Sequence, residues 1–160
     1  VVAGAYTGVW NSIAIGMTRN GFTLSAENKV EVINQTDLYG DTIIDLVYRG
    51  RDTYLQWVAK VWQNANPTLW WPWGATIGTI WTAAAPIARL GSSVAQSLVL
   101  TSVANTPAAA APASLTASKA IIAPNFNAEL SFDSRCRDVP MRMLCLPTDS
   151  TGTGTSVSVT

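Results

Sequence analysis

The chain has 160 residues, no histidine, and ten acidic side chains balanced by ten basic ones. The length suits one domain with a real core. The missing histidine removes the commonest general base and metal ligand, and the balanced charge advertises no general nucleic-acid surface. Charged residues make up only 12% of the chain, about half the usual share, a composition that favours association over monomeric solubility.

Cys136 and Cys145 are nine residues apart and have no metal-type partner beside them. Two free thiols in a reducing compartment is the first reading, with a disulfide across a hairpin the second. Asn34-Gln35-Thr36 matches a glycosylation sequon, which matters only in a secreted eukaryotic chain. No apolar run reaches the length of a membrane span, so no membrane partner is expected. The opening VVAGAYTGVW lacks the charged start and apolar stretch of a signal peptide. The absent initiator Met points to its removal, or to numbering from a mature start.

In chain order, residues 1–8 read as an N-terminal arm and Val9–Ile15 as a short strand. Asn20-Gly21 carries the signature of a tight turn. In Phe22–Ile33, Phe22, Leu24, Ala26, Val30 and Val32 share one parity, while Glu27, Lys29 and Glu31 fall on the other. That alternation predicts a strand with one buried and one charged face, interrupted near Asn28. Gly40–Trp62 reads as two strands joined by a turn at Arg49-Gly50-Arg51-Asp52. Leu55, Trp57, Ala59 and Val61 give one clean apolar face. Tyr54, Gln56, Val58, Lys60 and Trp62 give a mixed, half-covered one, a hint of a neighbouring subunit.

Leu69–Gly74 holds Trp70, Trp71 and Trp73 among prolines and a glycine, too broken for a regular element. Ala75–Arg89 reads as loop plus a short helix. Further strands are expected from roughly Val94 to Val103, from Ser118 to Ala123, from Phe126 to Phe132 and from Val139 to Leu146, with an Ala/Pro loop over 104–114. Residues 148–160 read as a mobile or partner-bound tail. The fold class is therefore all-β, an antiparallel sandwich or barrel of seven or eight strands with at most one helix, over one domain at 9–147.

No catalytic motif, phosphate loop or Cys/His cluster is present, and no cofactor or metal is expected. Asp41 and Asp45, four apart on one strand, stand about 13 Å apart by Cα, too far for an acid/base pair without help from another strand. Glu27 and Glu31 read first as a solvated face, and second as a ligand or channel lining. Arg49, Arg51 and Lys60, interspersed with acids, read as ion-pair partners across a hairpin or between subunits. Arg135, Arg137 and Arg142, with Asp133 and Asp138, read the same way. Trp70, Trp71 and Trp73 fit either an interface anchor or the sugar platform of a carbohydrate-binding sandwich, and the anchor is favoured because no polar side chain adjoins them.

The runs Gly16–Phe22, Tyr39–Asp45, Val47–Gly50, Leu55–Trp57, Leu69–Gly74, Leu100–Pro107, Ala123–Phe126 and Val139–Met141 resemble tailed-bacteriophage virion proteins, most closely tail tube proteins. The resemblance covers most of residues 8–147. It implies a non-enzymatic β-sandwich or barrel that forms hexameric rings, stacked through loops and terminal segments into a tube whose β-lined lumen conducts DNA. Other tail or capsid proteins would be its partners. It would be assembled in the host bacterial cytoplasm and end in the virion. Lumens of this kind are expected to be mostly acidic, whereas here acids and bases balance. Glu27, Glu31, Asp41 and Asp45 are the candidate lumen or interface charges, with Arg49, Arg51 and Lys60 beside them. A capsid decoration or cement protein and a tail terminator or adaptor are the alternatives within the same class.

Overall fold

A computed structural model describes residues 6–16, 18–35, 42–60, 90–102, 114–124, 126, 138–149, 154 and 156–160. The described chain is all-β and antiparallel. Its strands are β1 (Tyr6–Trp10), β2 (Ile13–Ala14), β3 (Thr18–Gln35), β4 (Thr42–Ala59), β5 (Gln96–Ser102), β6 (Ser114–Ile122), β7 (Val139–Leu146) and β8 (Ser158–Val159), with a single helical turn, α1 (Gly91–Val94). They form one sheet in the order β2-β1-β5-β6-β7-β4-β3, with β8 added to β6.

This sheet is rolled. A Cβ placed on Gly8 of β1 would lie 2.7 Å from Ile15 Cδ1 and 2.9 Å from the Phe22 ring of β3. β1 and β3 stand near opposite ends of the strand order, so the two ends have closed over a common core. Trp10, Leu55, Trp57, Leu98, Leu100, Ala117, Met141 and Met143 belong to that core. Alternation along each strand supplies it, as in β7, where Val139, Met141, Met143 and Cys145 are buried in turn. The Phe22 and Trp57 rings meet at 5.6 Å, tilted by 53°.

Several sequence expectations are corrected. Arg49–Asp52 is not a turn: β4 runs unbroken through it, and the register moves from Lys29↔Gly50 to Val30↔Tyr48, leaving Arg49 as the extra residue of a β-bulge. Asn20-Gly21 lies inside β3 at a second irregularity, between Arg19 and Phe22. In both places β3 and β4 remain paired on either side, and the continuous ladder overrides the local glycine signal. β3 also passes Asn28 without a break. The real early turn is Asn11-Ser12, where positive φ values of 48° and 64° make a two-residue primed hairpin between β1 and β2. α1 ends on Val94, the expected start of the fifth strand, and β5 starts at Gln96 instead. Ser158 and Val159 of the expected tail pair with Thr116 and Leu115 of β6. Asp41, the tryptophans at 70, 71 and 73, the segments 75–89 and 127–132, and Cys136 lie outside the described residues.

Cys145 is a free thiol buried beside Thr53. Burial pushes its pKa up to about 11, so the native thiol stays protonated and inert at neutral pH. Because the folded value lies above the unfolded one, its contribution to stability is whole below about pH 8.5 and falls away as the pH climbs to about 11. Peptide mass spectrometry after iodoacetamide treatment at pH 8 should find Cys145 unmodified in the native protein and fully modified in urea. Gly8→Val should cost about 1–3 kcal/mol by overpacking against Ile15 and Phe22, read as a lower urea midpoint with an unchanged slope.

Candidate functional site

The feature that stands out is the length of β3 and β4 against that of their neighbour. Each is an 18-residue strand, yet β7 pairs with β4 only from Thr53 to Ala59. Beyond Thr53 the two strands continue as a two-stranded arm. Among the described residues, neither the outer edge of β3 nor the Thr42–Asp52 edge of β4 has a partner strand.

Alternation gives the arm two faces. The inner face continues the side that carries Leu55 and Trp57 in the body. Val30 pairs with Tyr48 on it, and Val32 with Leu46. These four side chains are 49%, 64%, 45% and 54% exposed. Among the described residues, the packing that buries Leu55 and Trp57 does not extend to them. Ile33, Ile43, Ile44 and Val47 are also exposed near the far end, with Ile33 and Val47 on the opposite face beside Asp45 and Glu31. A lone chain therefore holds an apolar strip that resembles core and lies in solvent.

The outer face carries charge, arranged in cross-strand pairs. Arg142 of β7 reaches across β4 to Glu27 of β3 at 2.6 Å, with its guanidinium carbon 4.0 Å from the centre of the Tyr54 ring. Lys29 meets Asp52 at 2.6 Å. The hydrogen bond and charge of Asp52 hold the exposed Lys29 ammonium above its ordinary pKa. Arg49 donates from Nε to Glu31 at 2.7 Å and pairs with it through Nη2 as well. Near the base, Arg19 pairs with Asp138. Along β3 the signs run minus, plus, minus at Glu27, Lys29 and Glu31, and each finds its opposite on β4 or β7.

Of the residues singled out from sequence, Glu27, Glu31 and Arg49 are thus brought together on one face as ion-pair partners. Asp45 sits on the arm and accepts a hydrogen bond from the Leu46 N–H at 2.7 Å. Arg51 is exposed on the inner side at the root, opposite Asn28. Lys60 is exposed just past the end of β4. Sequence reasoning placed Lys29 only as a member of a solvated parity and did not connect Arg142 to Glu27, since no local pattern joins residues 115 apart. A groove of about 340 Å³ by Arg19, Thr23, Gln56, Phe126 and Arg142 adjoins this face. Both of its guanidiniums are already matched by carboxylates, which leaves little positive potential for an anion. No group of three or more metal-type side chains occurs among the described residues, and no helix among them is long and apolar enough to cross a membrane.

The ion pairs are unequal. Arg142 is about one-third exposed and covers Tyr54, whereas Arg49 and Glu31 are both more than half exposed. Arg142→Ala should lower stability by about 1–2 kcal/mol, mostly through the uncovered ring. Arg49→Ala should stay within about 0.5 kcal/mol. Paired urea titrations check the contrast.

No protein-family model matches the chain, and no curated protein matches it as a relative.

Proposed function

We propose that this chain is a self-assembling structural subunit, and specifically a tail tube protein of a tailed bacteriophage. In this reading the subunits form stacked hexameric rings around a β-lined bore that passes DNA, and they catalyse nothing. The observation that carries the reading is the arm. Eight large apolar side chains between Val30 and Tyr48 are each 40–64% exposed. Four of them, Val30, Val32, Leu46 and Tyr48, share the inner face, and a contiguous exposed apolar strip marks an interaction surface. Among the described residues two strand edges without a partner run alongside them, and an unprotected edge recruits further strands. A second copy of the chain is a fitting occupant, because a short charge-poor sequence with zero net charge offers no electrostatic barrier to self-association.

The reading fits the rest of the chemistry. The described acids at Glu27, Glu31, Asp52 and Asp138 are engaged in ion pairs, which serve geometry rather than proton transfer. Tailed-phage architecture, ring number and the passage of DNA rest on the sequence resemblance; the arm supports the self-assembly beneath them.

Negative-stain electron microscopy of the purified protein should show rings or tubes with a central bore. Leu46→Asp combined with Tyr48→Asp should leave a β-rich monomer by circular dichroism and abolish assembly, since loss of an interface anchor costs about 2 kcal/mol or more at every contact. Trimers that bind capsids would replace the tube reading with the decoration-protein one. Monomers at high concentration, with the double variant indistinguishable from wild type, would defeat self-assembly altogether.

A further inference from the structure

The arm joins the body at an unusual place. β7 gives its last support to β4 at Thr53, opposite Cys145. Just beyond, Arg49 is the extra residue that breaks the ladder between Lys29↔Gly50 and Val30↔Tyr48. Gly50 takes φ +134°, a backbone setting that L side chains rarely adopt, and nothing lies within 4 Å of where its Cβ would be. On the inner side, Tyr48, Gly50 and Arg51 face Cys145, Pro147 and Ser156 across a cavity of about 380 Å³. On the outer side, two ion pairs bracket the same point. Lys29–Asp52 lies toward the body and Glu31–Arg49 toward the tip.

We propose that this is a joint. The arm turns about the Gly50 bulge toward the cavity, and the outer ion pairs are the stop that holds it extended. A bulge removes the ladder bonds that would resist bending, and a two-stranded ribbon is the most easily twisted form of sheet. The void supplies room on the one face where packed side chains would block the movement. The ion pairs act on the other face, where exposed pairs are weak enough to open. The joint would let one subunit present its arm at more than one angle; that bearing on assembly rests on the reading above, whereas the joint itself belongs to the single chain.

The test uses the unassembled subunit. Spin labels at Val47→Cys on the arm and Ser118→Cys on β6, in a Cys136→Ser background, report the angle of the arm, with the buried Cys145 left in place unlabelled. Thr23→Cys with Ser118→Cys is the control within the body. The distance distribution for the arm pair should be at least twice as wide as for the control. Deleting Arg49, which restores an unbroken register, should narrow it to the control width. Arg49→Gln, which keeps the bulge and removes one ion pair, should leave it at least as wide as in wild type. An arm pair as narrow as the control in the wild-type sequence overturns the joint, whatever the deletion does to folding. So does a folded deletion variant with undiminished width. Neither result bears on whether rings form, and a failure to form rings does not narrow the distribution.

Discussion

The structure turns on a mismatch in strand length. β3 and β4 hydrogen-bond to each other from Thr18 and Ala59 out to Gln35 and Thr42, but β7 accompanies β4 only to Thr53. Within the supported part, the inner face of β4 is core: Leu55 is 1% exposed and Trp57 4%, although Leu24 opposite Leu55 on β3 is 43% exposed. Past it, Val30, Val32 and Leu46 are the same kind of residue in the same alternation and stand about half exposed. Full burial of such a side chain is worth roughly 1.5–3 kcal/mol. The arm therefore holds stabilisation that the isolated chain leaves unrealised and that a covering surface would release.

The other edges of the sheet are handled differently. β2 is two residues long and closed by a tight turn, which leaves little to pair with. Where β7 stops along β6, β8 takes over at Leu115 and Thr116, and Thr160 and Ser114 exchange backbone hydrogen bonds. Short edges and added strands are the usual means of preventing unwanted sheet growth. β3 has neither among the described residues. It is long, contains no proline, and is bare on one side throughout. If the subunits assemble as proposed, the long edge of β3 is where a further strand would add with least hindrance among the described residues.

Much of the body could be read from alternation. β7 falls on Val139–Leu146 as expected, and the opposed parities of Phe22–Val32 and Glu27–Glu31 became the inner and outer faces of β3. The two misplaced turns share one physical origin. Glycine between charged residues is the local signature of both a turn and a bulge, and what separates Gly50-as-turn from Gly50-as-bulge is the partner strand, which the local sequence does not reveal. Burial failed for a related reason. Alternation tells which side of a strand a residue is on, but whether Leu46 is core depends on where β7 ends. Glu27 and Glu31 were singled out by sign alone. Their neutralisation depends on Arg142 and Arg49, the first brought from the far end of the chain by sheet order.

That neutralisation alters what a bore lined by the outer face would be. Four acids, Glu27, Glu31, Asp41 and Asp45, are the candidate lumen or interface charges from sequence. Two of them, Glu27 and Glu31, are each matched by an arginine, and of the two others only Asp45 is described, bound to a backbone N–H and to no cation among the described residues. Opposite charges a few ångströms apart cancel well within the Debye length of about 8 Å at physiological salt, so a polyanion passing along the face would meet little net field in either direction. Slippage would then follow from the pairing of these cations rather than from a repelling wall. Arg142, Lys29, Arg49 and Arg19 are each already bound to a carboxylate of the same chain, so a phosphate would have to displace that carboxylate to gain a contact. Balanced composition and a smooth conduit are compatible on this account, provided the pairs remain closed.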